Sequence, residues 1–295
     1  MDLSEYNQHT RTKIIVYGSP KSGKTALVGK LAATHKLHFI DMENGIKTLL
    51  NPQMLDPKFR SNVNVINIPD HKLYPVAIDT VRDILRGGLK KICISHGKIN
   101  CPLCAKQADA RYSHIDLTTF TKDDILVIDS LSQLSNSAMN KSTLKELMKP
   151  GGEEYKATFH DYATQGALLD QVLSMIQVLD LNIVVISHEV ESEMTDGKDK
   201  IVPMAGTRNF SKLAAKYFDA AVYCTVVNKV HRAYSTTSYS PSVLTGSRVD
   251  VVLAYGIFDG GTLSVALCRW HFCRWRFALC LCWWLFAKGT LPVTL

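Results

Sequence analysis

The feature that most constrains this chain is the stretch VYGSPKSGKT at positions 16–25. An apolar, β-branched run, Lys13 to Tyr17, breaks at Gly18 into a short turn that closes on Gly23, Lys24 and Thr25. Ala26 to Ala33 then carries Leu27, Val28, Leu31 and Ala32 at helical spacing. The turn fits G-x-x-x-x-G-K-[ST], and a strand before it with a helix after it is the context that this pattern requires. The turn residues Gly18, Ser19, Pro20, Lys21, Ser22 and Gly23 form the expected phosphate cradle. Backbone N–H groups of the loop and of the helix start converge there, which works only where glycines allow close approach. Lys24 supplies positive charge to the phosphates and Thr25 a hydroxyl ligand for Mg²⁺.

Strand and helix patterns alternate downstream. Short apolar runs at 37–40, 63–68, 125–128 and 182–186 read as buried strands. Val76 to Leu85 reads as a helix closed by Gly87 and Gly88, and 166–179 as an amphipathic helix with Leu168, Leu169, Val172, Leu173, Ile176 and Leu179 on one face. Residues 219–227 and 230–236 read as neighbouring strands. This order predicts an α/β fold, a mostly parallel sheet with helices on both faces.

A metal-bound triphosphate needs a second carboxylate at the end of a neighbouring strand. Asp129 in ILVIDSLSQL stands there, after four apolar residues, as the second Mg²⁺ ligand. The same acid is placed to cap the next helix, and the two roles are compatible. Hydrolysis also needs a group that orients water, and Glu43 in FIDMENG follows the second strand.

The segments GSPKSGKT, FIDMENG, ILVIDSLSQL and VVISHE, in this order, resemble the RecA-like recombinase ATPases. The resemblance covers roughly residues 12–250. It implies ATP and Mg²⁺ as ligands, Glu43 as the catalytic base with Asp41 as the alternative, and His188 in the place of the polar residue that contacts the γ-phosphate. Histidine there departs from the glutamine of the family. The likeness is closest to small phage-encoded, core-only members, described as nucleotide-binding proteins and proposed to assist single-strand annealing. It implies an ATPase of recombination or replication, single-stranded DNA and a phage single-strand binding protein as partners, further copies of the chain, and the host cytoplasm as the location. By the same likeness DNA contacts fall in segments 135–158 and 190–210, the second with Lys198, Lys200 and Arg208. Lys229, Arg232 and Arg248 are the candidates for a cation reaching a neighbouring subunit's site. The alternative is a nucleotide-dependent switch or assembly module with little DNA affinity. A GTPase is disfavoured, since N-K-x-D has only a broken echo at Asn228, Lys229, Val230 and His231.

A second constellation lies in KKICISHGKINCPLCAK, where Cys93, His96, Cys101 and Cys104 stand as C-x₂-H-x₄-C-x₂-C. Thiolates and imidazole at these spacings chelate one structural Zn²⁺ through tight turns, with His114 as an alternative ligand. The insertion 91–115 is therefore read as a zinc-binding loop within a domain of residues 1–255. Four protein ligands would close the site and exclude catalytic zinc.

The segment 256–295 is unlike the rest. It holds all four tryptophans and four of the eight cysteines. Its clean apolar run, Phe277 to Ala287, is far shorter than the ~20 residues of a spanning helix. It is read as foreign to the domain, with no chemistry and no membrane role assigned. The N-terminus shows no signal or transit pattern, so reduced cysteines and a cytoplasmic location are expected. A net charge of +7, of which the tail contributes +3 from Arg269, Arg274, Arg276 and Lys288 against Asp259, permits a polyanionic partner without demanding one.

Overall fold

The computed structural model describes residues 11–194, 197–235 and 240–248. Strand β1 (Lys13–Gly18) passes through the glycine turn into helix α1 (Lys24–Gly29) and a 3₁₀ turn (Lys30–Ala33). Strands β2 (Lys36–Asp41) and β3 (Val63–Asn67) flank two more 3₁₀ turns, Gly45–Leu50 and Pro57–Asn62. Helix α2 (Ala77–Leu85) precedes an antiparallel hairpin of β4 (Leu89–Cys93) and β5 (Tyr112–Asp116). Then come β6 (Asp124–Asp129), α3 (Leu131–Leu147), α4 (Phe159–Val178) and β7 (Asn182–Ser187). A second hairpin, β8 (Glu189–Glu193) with β9 (Asp199–Pro203), leads to α5 (Arg208–Ala214), β10 (Ala220–Val227), β11 (Val230–Tyr234) and the two-residue β12 (Gly246–Ser247).

The main sheet runs β11-β10-β1-β7-β6-β2-β3, parallel from β10 to β3, with β11 and β12 antiparallel to β10. Its central strands are apolar on both faces because both faces are covered. Ile15 and Tyr17 of β1, with Leu126 and Ile128 of β6, join Ile78, Val81, Leu134, Leu169, Val172 and Leu173 of the longer helices. Ile14, Val16, Ile125 and Val127 point the other way, onto Leu27, Val28, Leu31 and Leu49. The second face is thus closed by one six-residue helix and 3₁₀ turns rather than by long helices.

Three expectations change. Helix α4 begins at Phe159, not at residue 166, because Thr158 and Asp161 form a capping box, with Thr158 N–H donating to Asp161 Oδ2 at 2.8 Å. Residues 135–147, expected in a DNA-contacting loop, belong to α3. Its inward face mixes buried Leu131, Leu134 and Ala138 with buried Ser132, Ser135 and Ser137, which weakens the hydrophobic periodicity. Much of 190–210 is the β8–β9 hairpin and the start of α5 rather than an open loop. The expectations for the tail 256–295 lie outside the described residues.

Candidate nucleotide site and metal centre

A parallel sheet delivers all its strand ends to one edge, and here that edge brings together Gly18, Asp41, Asp129 and Ser187. The phosphate turn needs its glycines for space as well as conformation. Gly18 has φ 152°, and a Cβ there would stand 2.0 Å from the Cys224 carbonyl oxygen of β10. Gly23 has φ 92°, and its Cβ would stand 2.9 Å from Nδ1 of His231 on β11. Lys24 is buried, and its Nζ donates to the carbonyls of Gly18 at 2.9 Å and Ser19 at 2.8 Å. Burial holds its pKa below the usual lysine range.

Thr25 Oγ1 donates to Asp129 Oδ2 at 2.9 Å. Burial pushes the Asp129 carboxyl up to about 7 against that hydrogen bond, and the acids Asp41 and Glu43 add to the rise. A hydroxyl and a carboxylate oxygen this close, at the start of a helix, form the hard-oxygen pair that suits Mg²⁺. A cation there would also relieve the charge that burial disfavours. Asp129 does not belong to the strand beside β1, as the sequence suggested. β7 lies between β1 and β6, and Asp129 reaches Thr25 across its end. Nor does Asp129 cap the next helix: Ser130 does, its Oγ accepting from Gln133 N–H at 3.1 Å.

That geometry separates the two acids after β2. Asp41 is fully buried and accepts backbone N–H groups from Glu43, Gly45 and Ile46 at 3.2, 3.1 and 3.4 Å, so it shapes the loop. Burial raises its pKa against those bonds. Glu43 instead lines the cavity. Ser130 Oγ donates to its Oε1, and His188 Nε2 stands 3.2 Å from its Oε2. Burial acts to raise the Glu43 pKa, but the hydrogen bonds from His188 and Ser130 outweigh it and hold the carboxylate below its ordinary range. His188 is anchored in turn, its N–H donating to Ser132 Oγ at 2.8 Å.

These groups surround a cavity of about 790 Å³, large enough for a nucleotide. The phosphate turn and His231 close one end, and residues 52–59 line the other. Ser130, His231 and segment 52–59 were not singled out by sequence. Ser130 was legible only as the neighbour of Asp129, and His231 only as the end of the broken N-K-x-D echo. Of the three cations considered for a neighbouring site, Lys229 and Arg232 lie in or beside the β10–β11 turn, at the nucleotide edge. Arg248 is at the opposite edge, its N–H donating to the Asp219 carbonyl.

The sequence profile of a family described as an AAA domain matches residues 10–249. The chain belongs to that family. Solved structures similar to this AAA domain include an ATPase from the type III secretion system of pathogenic bacteria, at 11% identity and TM-score 0.37, covering 74% of this chain and 51% of that one. A unique ATP synthase subunit, NeqB from Nanoarcheaum equitans, is 13% identical with TM-score 0.38, covering 74% and 46%. A third, an isolated ATPase domain, is 12% identical with TM-score 0.35, covering 76% and 75%. The chain thus spans about half the length of the first of these proteins. No curated protein sequence matches it significantly. The fold is that of a P-loop NTPase, a mostly parallel sheet with helices, and among the described residues no helix is long and apolar enough to cross a membrane.

The AAA domain carries a second cluster away from the nucleotide. The ligand atoms of Cys93, His96, Cys101 and Cys104 lie within 4.8 Å of one another. His96 Nδ1 is 3.2 Å from Cys104 Sγ and 3.6 Å from Cys101 Sγ. Tetrahedral zinc with Zn–S near 2.3 Å and Zn–N near 2.1 Å sets ligand atoms about 3.5–3.8 Å apart, so the set fits the ion closely. The three cysteines are buried and unoxidised. Burial opposes ionisation of Cys101, but N–H groups of Cys104 and Leu103 and its thiol neighbours outweigh it and lower its pKa. Burial raises Cys104 to about 11. His114 is exposed on β5, paired in register with Lys91, and is not in the cluster.

Proposed function

We propose that this chain is a Mg²⁺-dependent ATPase that acts on single-stranded DNA in recombination or replication, in the manner of the phage-encoded core-only proteins it resembles. The observation that carries the ATPase reading is the convergence of Lys24, Thr25, Asp129 and Glu43 on one cavity, with Glu43 kept ionised. Lys24 offsets phosphate charge, while Thr25 and Asp129 hold the cation. Bound Mg²⁺ supplies neutralisation of the charge that develops on the transferred phosphoryl group. Glu43 orients the attacking water and accepts its proton. Its carboxylate has about four acceptor positions, so it can keep Ser130 and His188 and still receive a water. His188, at the end of β7 between the phosphate turn and Asp129, holds Glu43 in register and faces the γ-phosphate side of the cavity.

Zinc belongs to the proposal as a structural ion. Held by Cys93, His96, Cys101 and Cys104, it would hold the tip of the hairpin, where among the described residues Ala110 and Tyr112 are the partly buried hydrophobics packed on the cysteines, while Ile92 and Ile115 tie its base to the main core. Further copies of the chain and a single-strand binding protein are the proposed partners. The test is ATP turnover with Mg²⁺, with and without an oligothymidylate. Turnover that rises with DNA is expected. Turnover indifferent to DNA would favour a nucleotide-dependent switch, and no turnover in any condition would sink the ATPase reading.

A further inference from the structure

The β4–β5 hairpin carries a net positive charge. Lys90, Lys91, Lys98, Lys106 and Arg111 stand in it against Asp109 and Asp116. Some cations elsewhere are matched: Arg82 and Lys141 share Asp79, Arg86 meets Asp83, and Lys149 meets Glu146. Among the described residues, none of the five hairpin cations is within ion-pair distance of an acid. Lys91, Lys106 and Arg111 are exposed. Next to the metal ligands, Ile94 is 42% and Leu103 61% exposed, leaving aliphatic faces beside the metal turn.

The hairpin is also docked, not trailing. Thr80 Oγ1 donates to the Gly97 carbonyl at 2.7 Å and Tyr74 OH to the His96 carbonyl at 3.2 Å. A Cβ at Gly97 would stand 2.9 Å from both Ile68 and Pro69, just past the end of β3. The metal turn therefore sits at the same sheet edge as the nucleotide cavity. Unpaired cations and exposed apolar side chains on a rigid zinc turn are the makeup of surfaces that grip single-stranded nucleic acid.

We infer that the zinc hairpin is a contact surface for single-stranded DNA, with Lys91, Lys106 and Arg111 meeting phosphates and Ile94 and Leu103 meeting bases. The inference rests on the proposed action on DNA, and it adds a surface to which neither the family resemblance nor the nucleotide site points. The measurement is fluorescence anisotropy of a labelled oligothymidylate with the zinc-loaded full chain, across a salt series. The variant carries Lys91→Glu, Lys106→Glu and Arg111→Glu, all outside the metal ligands, and zinc content verifies that its hairpin is intact. Losing three phosphate contacts should flatten the log-affinity against log-salt slope by about 2 and weaken binding at least about tenfold, while DNA-independent ATP turnover stays unchanged. Ile94→Ala with Leu103→Ala should weaken binding without altering the slope. Wild-type binding that the triple variant retains, with the same slope, would overturn the hairpin's role and leave the DNA-directed ATPase standing. A wild-type chain that binds no single-stranded DNA would overturn both. Clear preference for an oligouridylate would replace DNA with RNA as the partner.

Discussion

The nucleotide edge and the zinc hairpin share one side of the sheet, yet they are built in opposite ways. Asp129 ends β6, while Lys24, Glu43 and His188 follow the ends of β1, β2 and β7, so segments far apart in sequence are brought together by the sheet and its buried core. Cys93, His96, Cys101 and Cys104 come from a single turn, with almost no apolar packing of their own. Lys24 and Asp129 at the first are buried and Glu43 is hydrogen-bonded to Ser130 and His188; Lys91, Lys106 and Arg111 at the second are exposed. A site assembled by a sheet fails only in its chemistry when one side chain changes, whereas a site assembled by an ion loses its local structure with the ion.

The comparison breaks most visibly at Lys24. Lys24→Ala should abolish nucleotide binding with the fold intact, because its charge acts on phosphate and its ammonium contacts are only to loop carbonyls. Circular dichroism unchanged with ATP binding lost is the expected pair, and turnover near wild-type would remove the assignment. Glu43→Gln should keep nucleotide binding and lower turnover by roughly 10² or more, since the amide cannot take a proton from water. Loss of binding instead would make Glu43 a structural acid.

On the hairpin side, the purified protein should contain about one zinc per chain, and Cys101→Ser or Cys104→Ser should each remove it. Amide exchange should then rise across 93–112 alone, while ATP affinity is retained. Zinc-free wild-type protein with freely reactive thiols would end the metal reading, and lost ATP affinity would show that the two regions are not separable.

The smallest effect sharpens the contrast from the buried side. The Asp129 carboxyl is raised from an ordinary 3.8 to about 7, so the stability it contributes is present at acid pH and is lost as pH rises through about 7. Nucleotide-free wild-type protein should therefore lose a few degrees of Tm between pH 5 and 8. Asp129→Asn keeps an oxygen to accept the Thr25 hydroxyl and should lose less, at the expense of Mg²⁺-dependent turnover. Equal losses in both proteins would place the pH dependence elsewhere.

Much of this was legible from local pattern. The buried strands announce themselves because both faces are apolar, and the phosphate turn because its glycines fill positions that a side chain cannot. The Cys93, His96, Cys101 and Cys104 cluster was legible because its members are near neighbours in sequence. What escaped was what depends on distant pairing. No local signal shows that β7 separates β1 from β6, or that Ser130 reaches back to Glu43. Helix α3 escaped because serines interrupt its apolar face: Leu131, Leu134 and Ala138 join the core, but Ser137 donates to Asp70 at 2.8 Å and receives the Ile78 N–H at 3.2 Å, and Ser135 receives the Gly206 N–H at 2.7 Å. The family resemblance alone ranks Glu43 ahead of Asp41; that Asp41 is taken up by backbone N–H groups shows only in the fold.

The interposed strand has a mechanical consequence. β7 ends at Ser187, and after His188 alone the chain becomes β8, so the hairpin is a continuation of the strand that threads the catalytic edge. Its base is clamped there, with Met204 N–H on the His188 carbonyl at 2.8 Å and Ser187 Oγ on the Met204 carbonyl at 2.8 Å. The hairpin is a lever whose fulcrum is the residue that grips Glu43. The clamp on its base and the ring that meets Glu43 thus belong to one residue, His188.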